Sequence, residues 1–226
     1  MCGRFTSSQR REAIGERFQV AVPETYQERY NLAPAQPALI VRERDDVREA
    51  VMAKWGLLPH WAKDSKIAFK MINARAETLT EKPAYRGLLN RHRCLIPADG
   101  FYEWTFGSDD KKHPIHFHLP GHELFAFAGL WTSRTDEATG EILESCTIIT
   151  THPNALVAPV HDRMPVILPS EAEGIWLDPT ISKEHALSLL GPYPAELMMA
   201  LPASTRVNSV RNDDSGLLVS QDALAA

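Results

Sequence analysis

The sequence predicts an α+β fold in one domain, residues 1–226, with a curled, largely antiparallel sheet or barrel at its core and helices at its flanks. Three observations favour this class. Short runs of alternating apolar residues recur with turn residues between them, which is typical of strands. The helical segments do not alternate regularly with these runs, as they would in a doubly wound fold. The chain has 226 residues, 44% of them hydrophobic and 23% charged, and no linker-like stretch divides it.

The N-terminal third contains one predicted helix followed by strands. Thr6-Ser7-Ser8-Gln9 matches a capping box, and the apolar residues after it recur at helical spacing. We therefore expect a first helix over residues 7–19, with Cys2 just ahead of it. Residues 30–34 have the composition of a turn. Alternating side chains predict strands over residues 38–41, 51–55 and 67–71.

The rest of the chain combines strands with three further helices. Residues 77–90 have a helical pattern, with Pro83 near a first turn or at a break. Ser170-Glu171-Ala172-Glu173 matches a second capping box and predicts a helix toward Trp176, and residues 183–190 predict another short one. Strands are predicted over residues 93–97, 101–106, 114–119, 124–132 and 145–151.

Composition excludes several classes of protein. The three cysteines, Cys2, Cys94 and Cys146, lack Cys-x-x-Cys spacing, which indicates neither a disulfide framework nor a thiolate zinc site. No segment has the length and apolarity of a membrane helix, so we expect a cytoplasmic protein, associated with the nucleoid when bound to DNA. The net charge of −5 argues against coating of duplex nucleic acid. We expect the last residues, about 212–226, to form a short strand or a frayed tail.

Cys2 is the residue with the most distinctive chemistry. A small side chain after the initiator methionine favours removal of that methionine, which would leave Cys2 at the N-terminus. Its thiol then has an ordinary pKa of about 8.5 and its α-amine one of about 7.7–8.0. With an aldehyde, the amine can form an imine and the thiol can close a thiazolidine; with an amide, the amine can act as the base for the thiol. The alternative is a small buried apolar residue near a terminus.

Three other segments carry polar groups that packing does not predict. Asn73, Arg75 and Glu77 alternate at the end of a strand and would share a face, either as a site or as a solvated surface. Glu103 lies between aromatic neighbours that would raise its pKa by desolvation, unless it points outward. His161 lies two residues before an arginine in a compact loop, although a lone histidine is more often structural.

Six segments occur in order between residue 2 and about residue 168, and together they are far more specific than any one of them. They resemble the SRAP family of abasic-site processing proteins, whose fold the resemblance also implies. The segments are Cys2-Gly3-Arg4-Phe5, Tyr30-Asn31-Leu32-Ala33-Pro34, Trp55-Gly56-Leu57-Leu58-Pro59, Ile72-Asn73-Ala74-Arg75-Ala76-Glu77, Asp99-Gly100-Phe101-Tyr102-Glu103-Trp104 and His161-Asp162-Arg163-Met164-Pro165.

The resemblance implies a protein of the DNA damage response that links itself to abasic sites in single-stranded DNA. Cys2 would be the nucleophile that forms a thiazolidine with the ring-opened sugar. Asn73 would orient the amine or the sugar, Glu103 would shuttle protons during imine formation, and His161 would assist opening of the sugar ring. Neither a cofactor nor a metal is implied. Replication or repair proteins are candidate partners.

The same resemblance implies a set of DNA contacts. Arg4, Arg75 and Arg163 would hold the flanking phosphates, and Asn31 belongs to a segment expected at the DNA-binding surface. Trp61 would be the aromatic wedge. Some relatives carry two adjacent tryptophans at this point, whereas this chain has Trp61-Ala62. Single-strand binding needs few phosphate contacts, so an acidic net charge is compatible with it.

Two other functions use the same N-terminal residue. Glutamine amidotransferases also begin Met-Cys-Gly, but the Arg-Gly-Pro-Asp segment with which they grip glutamine is missing from this sequence. A peptidase or lyase activity is the second, and the peptidase activity would be limited to autocatalytic removal of Met1.

A metal-binding module is a third class, suggested by a histidine-rich stretch. His116 and His118 would share a strand face, and His113 and His122 lie nearby. Because no acidic or thiolate partner occurs at ligand spacing, we expect exposed strand histidines and no metal.

Overall fold

The computed structural model describes residues 2–62, 64–107, 110–136 and 139–218. In this part of the chain the longest α-helices have eight residues, and none is long and apolar enough to cross a bilayer. The strands are β1 Phe5–Ser7, β2 Arg29–Leu32, β3 Pro37–Arg44, β4 Val47–Trp55, β5 Asn73–Arg75, β6 Arg93–Ala98, β7 Gly100–Phe106, β8 Lys112–His118, β9 Phe125–Thr135, β10 Ile142–Thr151, β11 Met164–Pro165, β12 Ile167–Leu168 and β13 Met199–Pro202. The α-helices are α1 Arg11–Phe18, α2 Pro83–Arg86, α3 Ser170–Leu177 and α4 Lys183–Ser188.

Five strands close into a barrel. Strand β3 pairs antiparallel with β4 and β6, and β9 pairs antiparallel with β6 and β10. A parallel pairing of β4 with β10, Cys146 opposite Trp55, closes the ring. Residues 125–132 of β9 are buried on both faces, because one face fills the barrel and the other is covered. The expected α+β fold with a curled, largely antiparallel core is confirmed.

A second, antiparallel sheet holds the N-terminal strand against this barrel. Its order is β13-β8-β7-β1-β2. Phe5 of β1 packs edge-on against Trp55 at 5.1 Å and Phe127 at 5.7 Å, both from barrel strands. Aromatic edge contacts of this kind add to the burial of apolar surface. The segment that begins at Cys2 is therefore fixed between two sheets.

The expected first helix begins later than its capping box indicates. Thr6 and Ser7 belong to β1, where the backbone oxygen of Thr6 accepts a hydrogen bond from Asp99 N at 3.0 Å. Helix α1 is capped by Arg10, whose side chain makes no capping bond. The capping-box prediction is wrong because the backbone of these residues completes a sheet, which outweighs a local preference. The turn expected over residues 30–34 is likewise partly strand β2.

Two predicted elements between residues 65 and 90 are also wrong. Ser65–Lys70 is a 3₁₀ helix rather than a strand, with Ala68 buried and Phe69 58% exposed, the reverse of the expected alternation. Of the helix expected over 77–90, only the four residues of α2 form. Lys82 adopts the extended conformation that a following proline favours, so Pro83 begins the helix instead of interrupting it.

The C-terminal helices α3 and α4 are confirmed, but α3 lacks the expected capping bond. Glu173 instead pairs with Arg17 of α1 through two contacts of 2.9 Å. Residues 212–218 pack onto the fold, since Leu217 is fully buried and Asp213 forms an ion pair with Arg29. The remainder of the expected tail, residues 219–226, lies outside the described residues.

The histidines of β8 are not the exposed strand residues that the sequence predicts. His116 and His118 are each only 3% exposed, because the His116 ring packs against Tyr102 of β7 at 4.7 Å and the turn after β8 lies over the same face. His122, from the 3₁₀ turn Pro120–His122, stacks on His118 at 4.1 Å.

Candidate active site

Strand β1 places Cys2 beside the strand that carries Glu103. Phe5 lies opposite Phe101, and Tyr102 N donates to Arg4 O at 3.0 Å. Continuing this antiparallel register by two residues brings Gly3 next to Glu103. The Cys2 side chain is fully buried. Pairing of short strands therefore brings the two residues together although 101 positions separate them.

Asn73 holds the backbone of Cys2 from the opposite side. It begins β5, which pairs parallel with β10 and is anchored where Trp55 Nε1 donates to Ile72 O at 2.8 Å. The Asn73 amide Nδ2 donates to Cys2 O at 2.8 Å. Its Oδ1 is buried and accepts no hydrogen bond from any residue the structure describes. Asn73 thus positions Cys2 and keeps an acceptor beside it.

Glu103 is a buried carboxyl group suited to proton transfer at neutral pH. Its side chain is 4% exposed, with Tyr102 and Trp104 as its neighbours on β7. Burial raises the pKa of Glu103 to about 7. Both its protonated and its ionised form are therefore populated near neutrality.

Burial and the Glu103 charge act together on the Cys2 thiol. Desolvation, reinforced by the negative charge of Glu103, raises the pKa of Cys2 far above its ordinary range. The thiol is therefore protonated at neutral pH in this environment. Cys2 needs either a strong electrophile or a base next to it before its sulfur can react.

A cleft of about 440 Å³ opens beside Glu103. Trp104 shapes its wall and donates from Nε1 to Asn208 Oδ1 at 2.7 Å. Lys112 and Asn208 were not among the candidate residues, since neither belongs to a motif and Asn208 comes from the C-terminal segment. The cleft is lined by Arg4, Glu103, Trp104, Lys112, His161 and Asn208.

His161 faces this cleft as a neutral imidazole. Burial lowers the pKa of His161 below its ordinary value. Two groups lie 2.9 Å from its Nδ1: Arg163 N, which donates when this nitrogen carries a lone pair, and Asp162 Oδ1, which accepts when it carries a proton. Both tautomers of the neutral ring therefore have a partner at Nδ1.

A second pocket of about 450 Å³ lies on the other side of Asn73. Its wall is mostly apolar, and Trp61 is 52% exposed at its edge. Arg75 and Lys82 are exposed there and supply positive charge. The full lining is Trp61, Met71, Asn73, Arg75, Thr78, Lys82, Pro83, Ala84 and Tyr85.

The Arg163 side chain is held by contacts within the protein, and little of it is exposed to solvent. Its guanidinium makes a bidentate ion pair with Glu77 at 2.7 and 2.9 Å and donates to Thr150 O at 2.6 Å. The hydrogen bonds from Arg163 lower the pKa of Glu77. The sequence places Glu77 in an alternating segment, but nothing in the sequence indicates that Arg163 is its partner.

Asn31 does not reach the surface where the sequence places it. Its side chain is fully buried, and Nδ2 donates to the backbone oxygens of Val207, Ser209 and Asn212 at 2.8–3.1 Å. Its Oδ1 accepts from Arg4 Nη1 at 2.9 Å. Asn31 therefore ties the C-terminal segment to the site and orients Arg4.

Comparisons with known proteins agree with this architecture. The model of the family described as SOS response associated peptidase (SRAP) matches residues 1–210. Abasic site processing protein YoqW of Bacillus subtilis is 46% identical over 224 residues, covering 97% of this chain and 100% of the relative. Abasic site processing protein YedK of Escherichia coli is 30% identical over 228 residues, covering 96% of this chain and 99% of the relative.

A solved structure has the same fold. The crystal structure of a protein from Bacteroides thetaiotaomicron superposes with a TM-score of 0.88 at 28% identity, covering 97% of this chain and 99% of that one. The family model, the sequence relatives and the shared barrel and sheet agree on one assignment. The chain belongs to the SOS response associated peptidase (SRAP) family.

Proposed function

We propose that this protein recognises abasic sites in single-stranded DNA and crosslinks to them covalently through Cys2. The observation that carries the proposal is the position of Cys2, whose carbonyl is held by Asn73 at 2.8 Å beside a cleft containing Glu103 and His161. Relatives along nearly the whole chain bear the name abasic site processing protein, which supports the same target here.

The chemistry requires an aldehyde as the reaction partner. An abasic deoxyribose opens to an aldehyde at C1′. Once Met1 is removed, the Cys2 amine attacks this carbon, and loss of one water gives an imine. The thiol then adds to the imine carbon and its proton passes to the nitrogen, which closes a thiazolidine. Aldehyde and aminothiol combine with release of one water, whereas a lysine would stop at the reversible imine.

The raised pKa of the Cys2 thiol favours this order of steps. A protonated thiol is a weak nucleophile, so the amine reacts first and creates the more electrophilic imine carbon. Glu103, with a pKa of about 7, can donate a proton to the departing water and then accept the thiol proton. One carboxyl group thus serves both halves of the reaction.

His161 is suited to the preceding step, the opening of the sugar ring. In the tautomer whose Nδ1 accepts from Arg163 N, Nε2 carries the proton of the neutral ring. We assign His161 to the ring oxygen of the sugar: it donates a proton as the bond from C1′ to this oxygen breaks, and the proton of the C1′ hydroxyl returns to the imidazole as the aldehyde forms. Arg4 at the same cleft supplies positive charge for a flanking phosphate.

The second pocket matches the chemistry of single-stranded DNA. Trp61 offers an exposed aromatic face on which a base can stack, and Arg75 and Lys82 offer charges for the backbone. Because only a few phosphates need to be neutralised, the net charge of −5 does not oppose this binding. The crosslinked protein would shield the lesion during the DNA damage response.

The same geometry disfavours a cysteine amidohydrolase. That reaction needs a thiolate to attack an unactivated amide, and the surroundings of Cys2 stabilise the thiol instead.

The peptidase in the family description fits cleavage of the chain's own Met1–Cys2 bond. Intact mass of the Cys2→Ala variant separates the sources of cleavage: retained Met1 indicates self-cleavage, and loss of Met1 indicates a cellular aminopeptidase, since alanine is also small.

The experiment uses full-length protein whose loss of Met1 has been verified by intact mass. It is incubated with a uracil-containing single-stranded oligonucleotide treated with a uracil glycosylase, then heated and run on a denaturing gel. We expect a heat-stable shifted band that forms without borohydride. The matched control is the same oligonucleotide with a tetrahydrofuran residue, which lacks the aldehyde. No band with the abasic strand, or an equal band with tetrahydrofuran, would overturn the proposal.

A further inference from the structure

Three histidines cluster at the end of the second sheet, away from the residues used above. His116 and His118 lie on one face of β8, since side chains two apart on a strand point to the same side. His122 comes from the turn that follows, at a φ of 54°. One ring nitrogen of each lies within 4.8 Å of the other two. We refer to these three residues as the histidine cluster.

Two of these nitrogens are buried with no hydrogen-bond partner. His118 Nδ1 lies 2.8 Å from Leu119 O and donates to it, so Nε2 carries a lone pair. Among the described residues, neither His118 Nε2 nor His122 Nδ1 has a hydrogen-bond partner, although both are buried. A buried polar atom without a partner costs free energy, and a ligand would recover it. Metal-binding histidines commonly donate their other nitrogen to a backbone carbonyl, as His118 does.

The surroundings hold the three imidazoles close together and disfavour the charged forms of His116 and His122. Burial lowers the pKa of His116 and of His122, and the nearby ring of His118 adds to both effects. His116 packs tightly against β7, where a Cβ on Gly100 would lie 2.1 Å from its Nε2. Neutral imidazoles are the form that binds a metal ion.

We propose that the histidine cluster binds one Zn²⁺ ion, with a nitrogen from each of the three rings and water as the fourth ligand. Imidazole ligands suit Zn²⁺ among the divalent ions, and three protein ligands with one open position form a common tetrahedral site. This proposal departs from the expectation of no metal. The sequence has no acidic or thiolate ligand at suitable spacing from these histidines. The turn after β8 instead brings His122 to the cluster as a third imidazole ligand.

The rings need a modest rearrangement to close around the ion. They are stacked, with centroids of His116 and His118 5.3 Å apart and those of His118 and His122 4.1 Å apart. Zinc–nitrogen bonds of about 2.0–2.1 Å in a tetrahedron bring the nitrogens to about 3.3 Å from one another. The χ2 torsion of histidine has a broad minimum, which permits this rotation. A bound ion would join the turn to β8 and so stiffen the sheet that carries Glu103.

The test is a calorimetric titration of tag-free, chelator-treated, full-length protein with Zn²⁺, alongside three variants. We expect one ion per chain in the unmodified protein and about a tenfold or greater loss of affinity in His122→Asn. Asparagine tolerates positive φ, so this variant keeps the turn. His118→Gln removes a ligand from the strand. His113→Gln, on the same strand but outside the cluster, is the control and is expected to bind Zn²⁺ as the unmodified protein does.

A Co²⁺ titration supplies a second readout, since a tetrahedral site gives intense visible absorption. We expect this absorption in the unmodified protein and in His113→Gln, and its loss in His122→Asn. Thermal unfolding checks that His122→Asn and His118→Gln remain folded without metal. Zinc affinity that is unchanged in folded His122→Asn, or reduced equally in His113→Gln, would overturn the proposal, as would the lack of binding by the unmodified protein.

Discussion

The surroundings of Cys2 and the interior of the barrel both bury cysteine, yet only one is suited to chemistry. Cys2, Cys94 and Cys146 are all fully buried, and desolvation raises the pKa of all three thiols. Cys94 and Cys146 lie on barrel strands, in the same apolar cluster as Cys2. Cys2 also borders the Asn73 amide and the Glu103 carboxyl group, and Glu103 lines an open cleft. Burial and thiol pKa therefore do not distinguish the cysteine that we propose as the nucleophile; its polar neighbours do.

Replacing Cys2 and Cys94 separately tests this comparison, and the Cys2 variant has the largest expected effect. Cys2→Ala should abolish the heat-stable adduct with abasic single-stranded DNA, because it removes the sulfur that closes the ring. Cys94→Ala should keep the adduct while losing stability through a small core cavity. Adduct yield on a denaturing gel and thermal unfolding measure the two effects. A durable adduct in Cys2→Ala would remove the distinction between the two regions.

Glu103→Gln tests whether the carboxyl group is what distinguishes the Cys2 region. We expect adduct formation to slow by about 100-fold, which is typical for loss of a general acid–base group. In the unmodified protein the rate should pass through a maximum close to neutral pH, because Glu103 loses its proton with a pKa of about 7 while deprotonation of the amine, at about 7.7–8.0, is still increasing the reactivity of the amine. The falling limb should be missing in the variant. Equal pH profiles in both proteins would exclude proton transfer by Glu103.

The same substitution gives a separate prediction for stability. Because the pKa of Glu103 is higher in the folded state than in the unfolded chain, folding takes up a proton between pH 4.5 and 7 and stability falls with rising pH across that range. Above pH 7 the buried carboxylate is destabilising. Glu103→Gln should then be more stable by about 1 kcal/mol or more, which is about 2–4 °C in Tm for a chain of this size. A lower Tm at pH 8 would show that the carboxylate is stabilised by its neighbours.

The sequence indicates the candidate site residues more clearly than the contacts that hold them in place. The aromatic neighbours of Glu103 are adjacent in sequence, so the direction of its pKa shift could be inferred locally. Asn31 and Arg163 were expected at the DNA, but each is held by partners 86 or more positions away, Glu77 for Arg163 and Val207 for Asn31. Such pairs form only when the sheets assemble, and nothing in the local pattern indicates them.

The errors in secondary structure have the same origin. Alternation at residues 67–71 is typical of a strand, but the buried residues Ala68 and Met71 lie three positions apart, which is the period of a 3₁₀ helix. Tertiary packing of Ala68 rather than Phe69 therefore outweighs the alternation. The α+β class could be predicted because it depends on the order of many elements. An error in one predicted helix or strand does not change the class.

Asn73→Ala tests the hydrogen bond that positions Cys2. The bond from Asn73 Nδ2 to Cys2 O joins β5 to the N-terminal segment. A net contribution of about 1 kcal/mol corresponds to a loss of about fivefold in the rate of adduct formation. Asn73→Asp is the matched variant, since it keeps the acceptor and removes the donor. If both variants react at the unmodified rate, the bond has no role in positioning Cys2.

Arg75→Ala has the smallest expected effect and tests which arginine beside Cys2 meets the DNA. Arg75 is exposed at the pocket that contains Trp61, whereas Arg163 is committed to Glu77 and Thr150. Arg75→Ala should weaken binding of intact single-stranded DNA a few-fold and reduce the slope of log affinity against log salt by about 0.7, the value for one phosphate contact.

Arg163→Ala should leave that slope unchanged and lower Tm instead, because it leaves Glu77 without its ion pair. Fluorescence anisotropy at several salt concentrations measures the slope. An unchanged slope in Arg75→Ala and a reduced one in Arg163→Ala would mean that Arg163 exchanges Glu77 for a phosphate on binding.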